Sequence, residues 1–218
     1  MGGTTRQHSG ALKLHGHRNS INVRKVLWCC SELGLEVDLV ERGTNAYPVG
    51  DLEYVALNPL GLVPLLEDGP FRLAESNSII RYLARREQRT DLYPDDPCDA
   101  AKVDQWIDWQ ATDFNDSWRY AFLALVRKKP NFDDRPSIER SLSAFTDKVR
   151  ILDRRLAQTR AFVAGPSFTL ADIPIGLSLR RWRAMELDQS RLDHVAAYYD
   201  RLCSRPDFLA HGGPDSPA

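Results

Sequence analysis

Leu57-Asn58-Pro59-Leu60-Gly61-Leu62-Val63-Pro64-Leu65-Leu66-Glu67-Asp68-Gly69, followed one short segment later by Glu75-Ser76-Asn77-Ser78-Ile79-Ile80, decides the fold of this chain. Asn58-Pro59 reads as a turn. Pro64 stands near the mouth of a strand over Val63–Glu67, where a missing ladder donor is tolerated. Asp68-Gly69 is a hairpin signal leading into a second strand, Phe71–Ala74. Ser76 then opens a helix to Arg86, with Ile79, Ile80, Leu83 and Ala84 on one face. A strand mouth and a helix N-terminus delivered to one spot leave unpaired backbone groups there. Such a place suits a small anionic, peptide-like ligand.

Upstream, Ala11–His15 is a short strand. Asn22–Leu33 has helical spacing (Val23, Val26, Leu27, Cys30, Leu33) and stops at Gly34, and Glu36–Glu41 alternates as a second strand. A strand, helix and strand within so short a span imply parallel strands joined by a right-handed crossover. The order β-α-β followed by β-β-α is a thioredoxin-like half, placed at residues 11–88. After Leu92-Tyr93-Pro94-Asp95-Asp96-Pro97 no strand-like alternation survives. Helices are expected over Asp99–Val126, Ile138–Gln158, Thr169–Arg183 and Arg191–Ser204, giving an all-α domain at 96–211. The fold class is therefore α+β, with residues 1–10 and 212–218 read as loose tails. Thr169-Leu170-Ala171-Asp172 is a capping-box variant with Asp in place of Glu, a structural device.

Composition narrows the function classes. The chain has 218 residues and a formal net charge of -1, which argues against a nucleic-acid partner held by bulk electrostatics. Arg180, Arg181 and Arg183 form a basic run of the kind most often found on a solvated helix face. No apolar run approaches the roughly 18 residues of a membrane span. Met1–Gly10 lacks the apolar core of a secretory signal, so a reducing cytoplasm is the default expectation. Cys29, Cys30, Cys98 and Cys203 show no C-x-x-C spacing, and the histidines show no metal-ligand spacing. Neither a disulfide framework nor a metal site is indicated.

Arg18-Asn19-Ser20-Ile21-Asn22 lies between the first strand and the first helix, where a thioredoxin-like fold would carry its redox cysteines. Here a hydroxyl and an amide stand instead. Ser20 or Asn22 can simply cap the helix, or the same hydroxyl and helix dipole can stabilise a ligand's thiolate. At Val63-Pro64, residues alone favour an ordinary trans bond, since cis accounts for only about 5–6% of X-Pro bonds. Ser76 is a sound N-cap, and with Glu75 beside it the pair also matches an α-amino-acid end, Glu75 taking the ammonium and the helix N-terminus the carboxylate. Trp106, Trp109, Phe114, Trp118, Tyr120 and Trp182 at helical spacing are mostly core. Some of them suit an apolar cleft.

Taken together, the chain resembles the cytosolic glutathione S-transferase family from Leu12 to about His211. The carrying residues are Arg18 through Trp28, Leu57-Asn58-Pro59 through Val63-Pro64, Glu75-Ser76, and Phe168-Thr169-Leu170-Ala171-Asp172-Ile173-Pro174. Each is weak alone; their order and spacing are specific. The likeness is to bacterial members with a serine-type or asparagine-containing active loop, similar to the theta and nu classes. It implies glutathione as co-substrate without a metal, a small hydrophobic electrophile, a homodimer and a role in detoxification. It also implies a cis Pro64. Ser20 and Asn22 would be catalytic, Val63 and Pro64 would receive the cysteinyl backbone, and Glu75 with Ser76 the γ-glutamyl end. Trp118 and Trp182 would line the electrophile pocket, and Asp113 would reach the neighbouring subunit. Alternatives are a glutathione-dependent disulfide or peroxide reductase of the nu-like kind, and a non-catalytic binding module. Leu62, where many relatives carry a basic residue, favours the last.

Overall fold

The structure is a computed structural model and describes residues 11–185, 187 and 192–215. The expected tail 1–10, the last three residues (216–218) of the expected tail 212–218, and Arg191 at the start of the last expected helix lie outside the described residues. The chain divides between Glu87 and Gln88 into two compact units.

In the first unit, strand β1 (Leu12–Gly16) leads to helix α1 (Ile21–Leu33) and strand β2 (Val37–Glu41). β1 and β2 are parallel, with Leu12 opposite Val37 and Gly16 opposite Glu41. Helix α2 (Leu52–Leu57) precedes strands β3 (Leu65–Asp68) and β4 (Phe71–Ala74), and helix α3 (Ser76–Arg86) closes the unit. The sheet order is β2-β1-β3-β4, with β3 antiparallel to both of its neighbours. Leu12, Leu14 and Leu66 from the sheet, Val23, Val26 and Leu27 from α1, and Ile79, Ile80 and Leu83 from α3 form its buried core.

Two glycines shape the turns. Gly34 ends α1 in the left-handed conformation (φ 67°), and Leu35 N–H returns to the Cys30 carbonyl at 2.9 Å, a Schellman-type closure. A Cβ on Gly16 would lie 2.4 Å from Val23 Cγ2, so α1 crosses the end of β1 at a distance only glycine permits. Helix α2 falls in a stretch the sequence pattern leaves irregular. Six residues are too few to show a period, but Asp51 caps it by accepting the Tyr54 N–H at 2.6 Å. Strand β3 also starts two residues later than the pattern suggests, leaving Val63 and Pro64 outside the ladder.

The second unit holds α4 (Pro97–Trp109), α5 (Asn115–Ala121), α6 (Arg135–Thr159), α7 (Asp172–Ala184), α8 (Asp193–Cys203) and α9 (Pro206–Gly212). The expected single helix to Val126 is interrupted by π-turns at Gln110–Phe114 and Phe122–Val126. A cause of the second is visible. The Ser141 hydroxyl of α6 accepts from the Ala121 N–H (3.1 Å) and donates to the Ser117 carbonyl (2.7 Å), inserting into the bond those two groups would otherwise share. Helix α7 is buried on nearly every side, as Ile173, Ile175, Leu177, Leu179 and Trp182 show. The sequence pattern ends the helices before Pro206, yet Pro206 opens α9, because proline fits a first helical turn. Gly212 ends α9, and Arg180 donates to the carbonyls of Gly213 (3.0 Å) and Pro214 (2.7 Å), so the chain is tied down where a tail from 212 is expected.

Candidate functional site

Strand register gathers the candidate residues. His15 of β1 lies opposite Leu65 of β3, and Leu65 lies opposite Ala74 of β4. The end of β1, the start of β3 and the end of β4 are therefore neighbours along one edge of the sheet. Ser20 follows the first, Pro64 precedes the second, and Glu75-Ser76 follow the third. The N-termini of α1 and α3 both start there. Helix α1 has no acidic residue at its N-cap or in its first turn, so the positive end of its dipole is left uncompensated within the helix itself, whereas α3 has the acidic Glu75 at its N-cap.

Ser20 occupies the N-cap position of α1 in an extended conformation. Its N–H donates to the His17 carbonyl and its carbonyl accepts from the Arg24 N–H, both at 3.0 Å. Its side chain makes no capping bond, so the structural role open to it from sequence is not taken. Asn22, exposed in the first turn, makes no capping bond either. A half-buried hydroxyl is thus left at a helix N-terminus, ready to donate to an anion.

Val63-Pro64 is a cis bond, as the resemblance implies. The residue before it is anchored from two sides. The Leu62 carbonyl accepts from the Tyr54 hydroxyl and from Asn58 Nδ2, each at 2.7 Å. Tyr54 and Asn58 are buried, and burial holds the Tyr54 pKa above its ordinary value, so the phenol stays a donor. Arg42 pairs with Asp51 at 2.5 Å, and its guanidinium lies 5.5 Å from the Tyr54 ring centroid. A Cβ on Gly43 (φ 81°) would touch both His17 and Val63, at 3.2 and 3.3 Å, which places the turn at 43 beside the Val63 side chain. Tyr54 is missed by sequence reasoning. Asn58 is noticed there as a turn residue and as part of the family resemblance, and its side-chain reach to position 62 has no sequence signal beyond the Asn-Pro pair.

The N-cap of α3 is Glu75, not Ser76 as the sequence pattern suggests; Ser76 is the first helical residue and is buried. Glu75 holds φ 69°, ψ 108°, a region sparsely populated by non-glycine residues. Such a conformation costs about 1–3 kcal/mol and clusters at active sites, ligand clamps and switch regions. The Glu75 side chain is exposed and makes no capping bond.

The remaining candidates sit elsewhere. Trp118 and Trp182 are 5% and 1% exposed, inside the helical unit. Trp118 packs edge-on against Phe122, under the Arg181 guanidinium 4.4 Å from its ring centroid. Rings so enclosed offer little surface to a ligand. Asp113 is paired within its own chain to Lys148 at 2.8 Å. All four cysteines are free, and burial pushes the Cys30 thiol up to about 12, which makes it inert. No group of three or more metal-ligating side chains occurs among the described residues, and no helix there is long and apolar enough to cross a membrane.

Comparison with known proteins places the chain in a family. Residues 10–85 match the family described as glutathione S-transferase, N-terminal domain, and residues 135–201 match the corresponding C-terminal domain. Glutathione S-transferase GstB of Escherichia coli K12 is 32% identical over 197 residues, covering 89% of this chain and 94% of that protein. The theta class glutathione S-transferase of Xanthomonas axonopodis pv. citri, solved with glutathione bound, superposes with a TM-score of 0.85 at 36% identity, covering 93% of this chain and 97% of the other. Elongation factor 1-gamma 1 of rice is 30% identical over 91% of this chain, which spans 47% of that longer protein.

Proposed function

The chain belongs to the glutathione S-transferase family, and on that premise we propose that it binds glutathione and activates its thiolate for attack on small hydrophobic electrophiles. The observation that carries this reading is the uncommitted Ser20 hydroxyl at the N-terminus of α1, on the same sheet edge as Val63 and Glu75-Ser76. Extended along that edge, the tripeptide would set its cysteinyl backbone against the N–H and C=O of Val63. Its γ-glutamyl ammonium would meet Glu75, and its γ-glutamyl carboxylate the first turn of α3 and the Ser76 hydroxyl.

The sulfur then falls to Ser20. A free cysteine thiol with a pKa of about 8.5 is only about 3% ionised at pH 7. Lowering it by about two units makes most of it thiolate and requires roughly 2.7 kcal/mol of preferential stabilisation. A hydroxyl hydrogen bond and an uncompensated helix dipole are of that order combined. Asn22 adds an amide donor in the same turn. The thiol proton leaves to solvent. The sulfur lone pair forms the new C–S bond while the leaving group departs with the bonding pair, and juxtaposition of the two reactants supplies much of the rate. Ser20 donates a hydrogen bond throughout and is not a nucleophile. A homodimer in the cytoplasm that clears reactive electrophiles is the setting this reading implies.

A second reading has its own support. The likeness to elongation factor 1-gamma, together with Leu62 in place of a cation, favours a module that keeps the fold for binding alone. Asn22 also suits a reductase in which bound glutathione supplies the attacking sulfur. Retention on immobilised glutathione followed by assays with an aryl halide and a small disulfide separates the three. Conjugation of the halide supports the transferase. Turnover of the disulfide alone moves the assignment to the reductase, and neither retention nor turnover leaves the module.

A further inference from the structure

We propose that Tyr54 and Asn58 are positioning residues of the glutathione site, acting through the Leu62 carbonyl to keep the Val63 peptide group aimed at the ligand. The inference rests on the glutathione reading above and goes beyond it by assigning two residues that touch no part of the ligand.

The Leu62 carbonyl belongs to an irregular loop, where one hydrogen bond or none is usual. Instead it receives two buried donors at 2.7 Å, a phenol from α2 and an amide from the turn that follows it. Neither donor is incidental. Tyr54 is wholly buried, and its backbone N–H is held by Asp51 at 2.6 Å, the same carboxylate that grips Arg42. Asn58 is 2% exposed and uses both ends of its amide, accepting the Leu60 N–H at 3.2 Å while donating to Leu62. Gly61, at φ 58° and with its N–H on the Asn58 carbonyl at 3.0 Å, completes the turn. The peptide linking Leu62 to Val63 therefore has its oxygen fixed at two points, which sets the rotation of that peptide plane and the direction of the Val63 N–H on its opposite side. Val63 itself lies outside every strand and has no backbone partner among the described residues. Its aim is thus set by residue 62. The Leu62 side chain is 60% exposed and carries no charge, so what position 62 offers the ligand passes through its backbone.

Tyr54→Phe removes one donor and keeps the ring. Asn58→Asp removes the other and keeps the acceptor for Leu60. With glutathione varied against a fixed aryl halide, each variant is expected to raise the KM for glutathione about fivefold, the factor one ordinary hydrogen bond carries. The kcat is expected to stay within about twofold, since the sulfur end is untouched. The bound thiol should titrate as in the wild type. Because one remaining donor still restrains the carbonyl in part, the double variant should lose more than the product of the two single effects. Leu83→Val, a core truncation in the same unit, serves as the control: it should lower the unfolding midpoint and leave the KM in place. Unchanged KM in Tyr54→Phe while the wild type retains glutathione overturns the proposal. So does a rise in the control that matches the variants, or a shift of the bound-thiol pKa along with KM. Should Asn58→Asp fail to fold, Tyr54→Phe alone decides. A wild-type protein that does not retain glutathione refutes the proposed function itself and this inference with it.

Discussion

Ser20 and Glu75 each do something a purely structural residue would not. Ser20 stands at an N-cap and does not cap, and Glu75 accepts a costly backbone conformation without using its carboxylate inside the fold. Ser20→Ala is expected to lower kcat/KM at neutral pH about tenfold or more while glutathione retention persists, because only thiolate stabilisation is lost. Activity rises with pH as the bound thiol ionises, so the same variant should move the inflection of its pH–rate profile upward. An unmoved inflection would transfer the role to Asn22 or the dipole. For Glu75→Gly, stability and binding should part company. Glycine adopts φ 69° freely, relieving about 1–3 kcal/mol of strain against a smaller entropic cost, so the denaturation midpoint should hold or rise. Loss of the carboxylate should meanwhile raise the KM for glutathione about tenfold. Midpoint and KM worsening together would contradict this account.

At the scale of elements, the long periodic helices and the Asp68-Gly69 hairpin were legible because their signals are local and dense. Helix α2 was not, since six residues cannot show a period, and its anchors act at a distance no pattern encodes. The π-turns were hidden for a similar reason: Ser141 breaks the helix from another element, 20 residues away from Ala121. The strand ends that meet at the site were legible from turn residues, whereas Pro64 taken alone favoured trans and only the family likeness implied cis. The capping box at the head of α7 was legible only in part: Asp172 accepts the Thr169 N–H as expected, but the helix starts at Asp172 with Ala171 at its N-cap and no side-chain capping bond, and the energetics of the Asp172 carboxylate are open to test. Asp172 is fully buried and accepts from Val163 N–H (3.0 Å), Thr169 N–H (2.8 Å) and the Tyr198 hydroxyl (2.8 Å). Asp172→Ala should cost about 3–5 kcal/mol, as four buried donors, the Thr169 hydroxyl at 3.3 Å among them, lose their partner at once. Burial pushes the Asp172 pKa up to about 6, the hydrogen bonds opposing it. The unfolded value is about 3.9, so the native state binds more protons between the two, and stability from this group falls as pH rises from about 4 to 6 and is flat above. Asp172→Asn has no such titration. The stability difference between wild type and this variant, followed by urea unfolding, should shrink over that window and then level off; a difference that grows with pH would contradict the assignment.

For the whole molecule, the chain forms two compact units with a net charge of -1, and its four cysteines form no disulfide. If it assembles as the proposed homodimer, light scattering should return twice the 24.7 kDa of one chain at micromolar concentration; a single-chain mass would remove the dimer from the proposal and leave the glutathione site standing. The central claim is that an oxygen at the head of α1 keeps a foreign sulfur ionised. Ultraviolet titration of glutathione bound to the wild type and to Ser20→Ala tests it most directly. The account predicts an apparent thiol pKa about two units below the free value of about 8.5 in the wild type, moving back toward it in the variant. A bound thiol that titrates like free glutathione in both proteins would contradict it.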